Sequence, residues 1–119
     1  MSTTNKVEEL LKQIDGKLRM LKFTQEDTPR VLEDHKVKAM ERHTRVFEEL
    51  IEQTHKLKIE VQQIRIEKGD TAEEVREWSL DIESKVSGFE EVVDEIKETI
   101  TREHTKVKNE EEEIEKEKR

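Results

Sequence analysis

The sequence predicts an all-α fold. It reads as a long antiparallel helical hairpin of coiled-coil type, with an N-terminal helix that packs either as the third helix of a bundle or through dimerisation. Three observations predict this. Ala, Glu, Lys, Leu and Arg make up about half of the 119 residues, the composition of long-helix and coiled-coil proteins. Apolar residues recur at alternating three- and four-residue spacings along most of the chain, which keeps one stripe facing a partner helix. Turn residues are sparse, with three Gly and one Pro, too few for a β-sandwich or a doubly wound α/β domain. Leu, Ile, Val and Phe form about a quarter of the chain, above the ~20% below which charged chains stay disordered.

Taken in order, the first segment carries Val7, Leu11, Ile14, Leu18 and Leu21 at helical spacing. It is expected to end before Thr28-Pro29, because Pro suits the first position of a helix and a Thr before it can accept the orphan amides. The second segment, with Ala39, His43, Val46, Leu50, Thr54, Leu57, Val61 and Ile64 in phase, is expected to run to Gly69, a residue suited to the left-handed end of a helix. Thr71-Ala72-Glu73-Glu74 then matches a capping box. The third segment has the cleanest stripe: Val75, Trp78, Ile82, Val86, Phe89, Val93, Ile96 and Ile100, continued by Glu103, Val107, Glu110 and Ile114. The predicted helices span 5–26, 29–68 and 71–117. They divide the chain into an N-terminal amphipathic helix (1–27), a coiled-coil hairpin (28–108) turning near 69–70, and an acidic, charged helical tail (109–119).

A tight turn at Gly69-Asp70 sets the antiparallel register. It places Ile64 near Val75, Val61 near Trp78, Leu57 near Ile82, Leu50 near Phe89, His43 near Ile96 and Leu32 near Val107, in a rod of about 57 Å. Phe47, Ile51, Ile59, Ile66 and Val92 form second stripes, wider than a two-helix seam requires. They call for a third helix, supplied by Leu10, Leu11, Ile14, Leu18 and Leu21 after a fold-back at 22–28, or by a second hairpin in a dimeric four-helix bundle.

The formal net charge is −8. Residues 1–70 are balanced, so residues 71–119 hold the whole excess. Nucleic-acid binding needs clustered positive charge. The densest basic stretch, Lys36, Lys38, Arg42 and Arg45, is interleaved with Glu33, Asp34 and Glu41, and it reads as a solvated helix face. The chain has no Cys, which excludes disulfides, thiol catalysis and Cys-based metal sites. No apolar stretch nears the ~18–20 residues that span a bilayer, and Met1 to Asn5 lacks the features of a signal peptide. The expectation is a cytoplasmic, intracellular chain.

The four histidines lack the i,i+3 or i,i+4 pairing of metal-binding helices. His43 falls in the core stripe, where a satisfied, register-setting polar residue is the reading and burial would lower its pKa. Trp78 is expected to anchor the core near the hairpin turn. Glu110 to Glu113 reads as a solubilising acidic run. No catalytic constellation or phosphate loop is present. The expected function is a non-enzymatic structural or oligomerisation module, without cofactor, metal or small-molecule substrate. Self-association would be carried by Val75, Trp78, Ile82, Val86, Phe89, Val93, Ile96 and Ile100 with Leu50, Leu57, Val61 and Ile64. The alternative is a monomeric three-helix adaptor that binds another helical protein through a groove or its acidic face. Burial of Leu10, Ile14 and Leu18 within one chain, or in a neighbour, discriminates between the two.

The stretch Lys68-Gly69-Asp70-Thr71-Ala72-Glu73-Glu74-Val75-Arg76-Glu77-Trp78-Ser79, followed by Asp81-Ile82-Glu83-Ser84-Lys85-Val86, resembles the N-terminal helical region of the Gag-like part of BEL/Pao-type retroelement polyproteins. The resemblance covers about residues 20–119 and extends to the Glu/Lys/Arg-rich run from Asn109 to Arg119. It implies a polyprotein segment that self-associates or spaces other domains. The protease, reverse-transcriptase and zinc-knuckle signatures of that family do not occur in this chain, so the resemblance supplies no catalytic residue.

Overall fold

A computed structural model describes the backbone of residues 3–117 and the side chains of residues 5–106. It consists of three successive helices: α1 (Thr3–Glu33), α2 (Val37–Lys68) and α3 (Ala72–Glu117). α2 runs antiparallel to both neighbours, and α1 packs mainly on α2 and less on α3. The rod measures 75 × 22 × 18 Å. Its length exceeds the expected 57 Å because α3, with 46 residues, continues past the level of the first turn. The side chains of Val107, Glu110 and Ile114 lie outside the described residues, as do the expected Leu32–Val107 pairing and the side chains of the acidic tail.

The second turn forms where its signals lie. Gly69 has φ 112°, a left-handed conformation that a glycine adopts without steric cost. Its amide donates to the carbonyls of Arg65 and Ile66, and the Asp70 amide reaches back to the Arg65 carbonyl at 3.0 Å, closing the last turn of α2. Thr71 Oγ1 accepts the Glu74 amide at 3.2 Å, one arm of the expected capping box. Asp70 also accepts from the Arg65 guanidinium at 2.8 Å.

The first turn corrects the sequence reading. α1 does not stop before Thr28-Pro29 but runs through Pro29 to Glu33, so no helix boundary separates residues 1–27 from residues 28–33. The chain turns at Asp34-His35-Lys36 instead. His35 takes the left-handed conformation, with φ 53°, and its amide donates to the Leu32 carbonyl at 3.2 Å. Pro inside a helix costs about 3 kcal/mol, because it lacks an amide and its ring crowds the carbonyl four residues back. Packing offsets that cost: Thr28 and Val31, on either side of the proline, are both buried. Burying an aliphatic side chain of this size contributes about 1.5–3 kcal/mol.

The third helix is supplied in cis. Leu10, Ile14 and Leu21 are buried in the core of their own chain, with Val7 and Leu18 packed against it. Leu11, expected on the stripe, is 37% exposed, and Leu10 takes its place. On α2 the buried row is Met40, Thr44, Phe47, Ile51, Thr54, Lys58 and Val61. That row is rotated from the expected one, leaving Ala39, His43, Leu50, Leu57 and Ile64 half-buried on a flank and Val46 exposed. The rotation is the result of having two neighbours: the centre line of α2 must face the gap between α1 and α3, whereas a hairpin alone would centre it on α3. His43 accordingly meets Thr28 of α1. α3 keeps its expected stripe, with Val75, Ile82, Val86, Val93 and Ile96 buried and Ser79 in phase with them.

The buried row of α2 includes polar groups, and each has a partner. Thr44 and Thr54 donate to the carbonyls of Met40 and Leu50, and on α1 Thr24 and Thr28 donate to Met20 and Thr24. Lys58, with its side chain 8% exposed, places its ammonium 2.7 Å from the Glu83 carboxylate. Among the described residues no buried side-chain nitrogen or oxygen lacks a partner. No described helix is long and apolar enough to cross a membrane.

Candidate functional site

The residues expected to carry self-association divide into buried and half-buried positions of the bundle. Val61, Val75, Ile82, Val86, Val93 and Ile96 are buried, and Leu50, Leu57, Ile64, Trp78, Phe89 and Ile100 are half-buried against the core. Trp78 sits near the hairpin turn as expected, with the Arg65 guanidinium 6.0 Å from its ring centroid, a cation–π arrangement.

His43 sits at the α1–α2 contact. Its Nε2 lies 2.9 Å from Thr28 Oγ1, and its ring meets Phe47 edge-on at 5.3 Å. The single Thr28 hydroxyl proton already goes to the Thr24 carbonyl, so the ring nitrogen donates. Burial pushes the imidazole below its ordinary range, against a smaller opposing pull from Thr24 and Asp27. The other three histidines each face a carboxylate on the neighbouring helix: His35–Glu103 at 3.0 Å, His55–Glu90 at 3.8 Å and His104–Glu41 at 3.9 Å. No metal-ligating group of three or more His, Asp or Glu occurs among the described residues.

Troughs run between the helices. On the α1–α2 side, Gln13, Gly16, Lys17, Met20 and Leu50 line a notch of about 360 Å³. Nearby, Met20, Phe23 and Val46 are 45%, 64% and 40% exposed. Above it, Asp27, Arg30, Asp34, Arg42 and His43 line a trough of balanced charge. There Asp27 and Arg30 form a two-point pair at 2.9 and 2.8 Å, which holds the Asp27 carboxyl below its ordinary range.

The α2–α3 seam, on the side away from α1, holds a larger groove of about 470 Å³. Ile51 and Val93 belong to it, and around them stand Glu48, Glu52, Glu90 and Asp94, with His55 and Lys97. Nearer the Gly69 turn the same seam opens into a trough that includes Ile66, Leu80, Arg76 and Glu83. Glu83 is held below its ordinary range by the hydrogen bond from Lys58.

Sequence reading allowed for a groove or an acidic face but located neither. The one signal for this groove was two like-charged i,i+4 pairs, Glu48/Glu52 and Glu90/Asp94. Such pairs cost a few tenths of a kcal/mol each on a helix, and only the tertiary structure shows that they face one another. No protein-family model, curated protein or solved structure matches this chain.

Proposed function

We propose that this chain is a non-enzymatic helical binding module, acting in the cytoplasm as a monomeric three-helix adaptor for another helical protein. One observation carries the reading: Leu10, Ile14 and Leu21 complete the core within a single chain. The stripe that would otherwise drive self-association therefore has its partner already, and what remains for recognition is the outer troughs. The resemblance to the Gag-like region of BEL/Pao retroelement polyproteins rests on Lys68 to Val86. It fits a segment that connects or spaces other parts of a larger protein. Light scattering after size exclusion, over a wide concentration range, tests the reading. A monomer of 14.2 kDa at every concentration is expected, and a stable dimer would overturn the adaptor in favour of self-association.

A further inference from the structure

We infer that the α2–α3 groove on the side away from α1 docks a basic amphipathic helix from a partner protein, an inference that rests on the adaptor reading above. Three features of that face converge. Its middle pairs apolar Ile51 and Val93 with four carboxylates. Lys97 reaches Glu48 at 3.4 Å and Lys56 reaches Glu52 at 3.4 Å, whereas Asp94 has no cationic partner among the described residues. The groove thus carries more negative charge than its own cations offset.

The second feature is exposed apolar surface continuing along the seam. Ile59 and Leu80 are each 56% exposed and Ile66 is 49% exposed. Ile59 and Ile66 are seven residues apart, hence on one face of α2, and Ile66 and Leu80 line the same trough. The third feature is placement: of several like-charged i,i+4 pairs on α2 and α3, Glu48/Glu52 and Glu90/Asp94 line one groove from opposite sides, so repulsion within each helix is compounded across the seam.

Charge decides the occupant. A second copy related by a two-fold axis would set this face against itself, carboxylate against carboxylate. A helix with an apolar stripe flanked by Lys or Arg instead matches both the exposed apolar residues and the acidic rim, in the helix-in-groove mode. From Glu48 to Ile66 the groove runs about 27 Å, the length of about five helical turns.

The test uses the full chain, labelled with nitrogen-15, and two synthetic 18-residue amphipathic peptides. Both carry Leu along one face, with Lys flanks in one and Glu flanks in the other. The Lys peptide is expected to shift the amides of Ile51, Ile59, Leu80 and Asp94, and the Glu peptide to leave them unmoved. Glu52→Lys with Asp94→Lys should weaken Lys-peptide binding at least about tenfold. Glu8→Lys with Glu26→Lys, the same change in net charge on α1, should weaken it less than about twofold. Glu52→Gln with Asp94→Asn serves if the reversed pair loses helicity. Shifts centred on Met20, Phe23 and Val46, equal losses in both double variants, or no binding would overturn the assignment. A monomeric chain giving any of those results refutes the groove and leaves the adaptor reading in place, whereas a dimeric chain refutes the adaptor reading itself.

Discussion

Replacing Pro29 by Ala separates two descriptions of the first turn. If a helix began at Pro29, as Thr28-Pro29 suggests, the proline would sit at a favourable position. Its loss would then be neutral or would destabilise by about 0.4–1 kcal/mol, through the greater freedom of the unfolded chain. In the structure Pro29 lies inside α1 and is exposed, so removing its ring costs no packing. Ala restores the amide donated to the Gln25 carbonyl and relieves the restriction on Thr28. The interior penalty of about 3 kcal/mol, less the unfolded-state term of about 0.4–1 kcal/mol, leaves a gain of about 2 kcal/mol. At about 4 °C per kcal/mol for a chain of this size, Tm should rise by about 8 °C. Urea and thermal melts followed by circular dichroism at the helical minimum measure both quantities. An unchanged or lower midpoint would refute the continuous α1.

Other perturbations test the core and its polar members. Phe47→Ala, at a fully buried position, should cost about 3–5 kcal/mol in chemical denaturation, whereas Phe23→Ala, at 64% exposure, should stay within about 0.5 kcal/mol. Lys58→Met should be at least as stable as the parent chain, since an apolar side chain of similar length avoids desolvating the ammonium. Glu83→Gln should be less stable than either, because it leaves that ammonium without its counter-charge; denaturant midpoints in any other order would refute the role assigned to the pair. The folded state also holds His43 below its ordinary value of 6.5, so the unfolded chain binds its proton more readily. The His43 contribution to stability is therefore complete above about pH 6.5 and is lost as pH falls through the lowered folded value. Melts across pH 5 to 8 should show a decline toward acid that is shallower in His43→Gln, and identical profiles would count against the assignment.

The two turns explain why one boundary was legible and the other was not. Gly69, Asp70 and Thr71 each carry a local backbone preference that matches what they do, so the hairpin turn can be read from the residues. At Asp34-His35-Lys36 the left-handed position is filled by a histidine, tolerated there more often than most side chains but carrying no turn signal of its own. Meanwhile Thr28-Pro29 offers a strong local signal that packing overrides. The candidate groove was hidden for a related reason. Glu48/Glu52 and Glu90/Asp94 are visible as separate pairs, but they become one acidic rim only when α2 and α3 are placed side by side.

By itself the sequence determined the all-helical class, the Gly69 hairpin and the apolar stripe of α3, because these rest on periodicity and on the φ/ψ preferences of single residues. Tertiary structure alone decided that α1 closes the bundle in cis, that α2 turns its Met40–Val61 row inward, and that the chain passes through Pro29. Those outcomes depend on how three amphipathic faces share one core. The free energy of burying residues such as Val31, Met40 and Phe47 together exceeds the local cost of a proline or of a left-handed histidine.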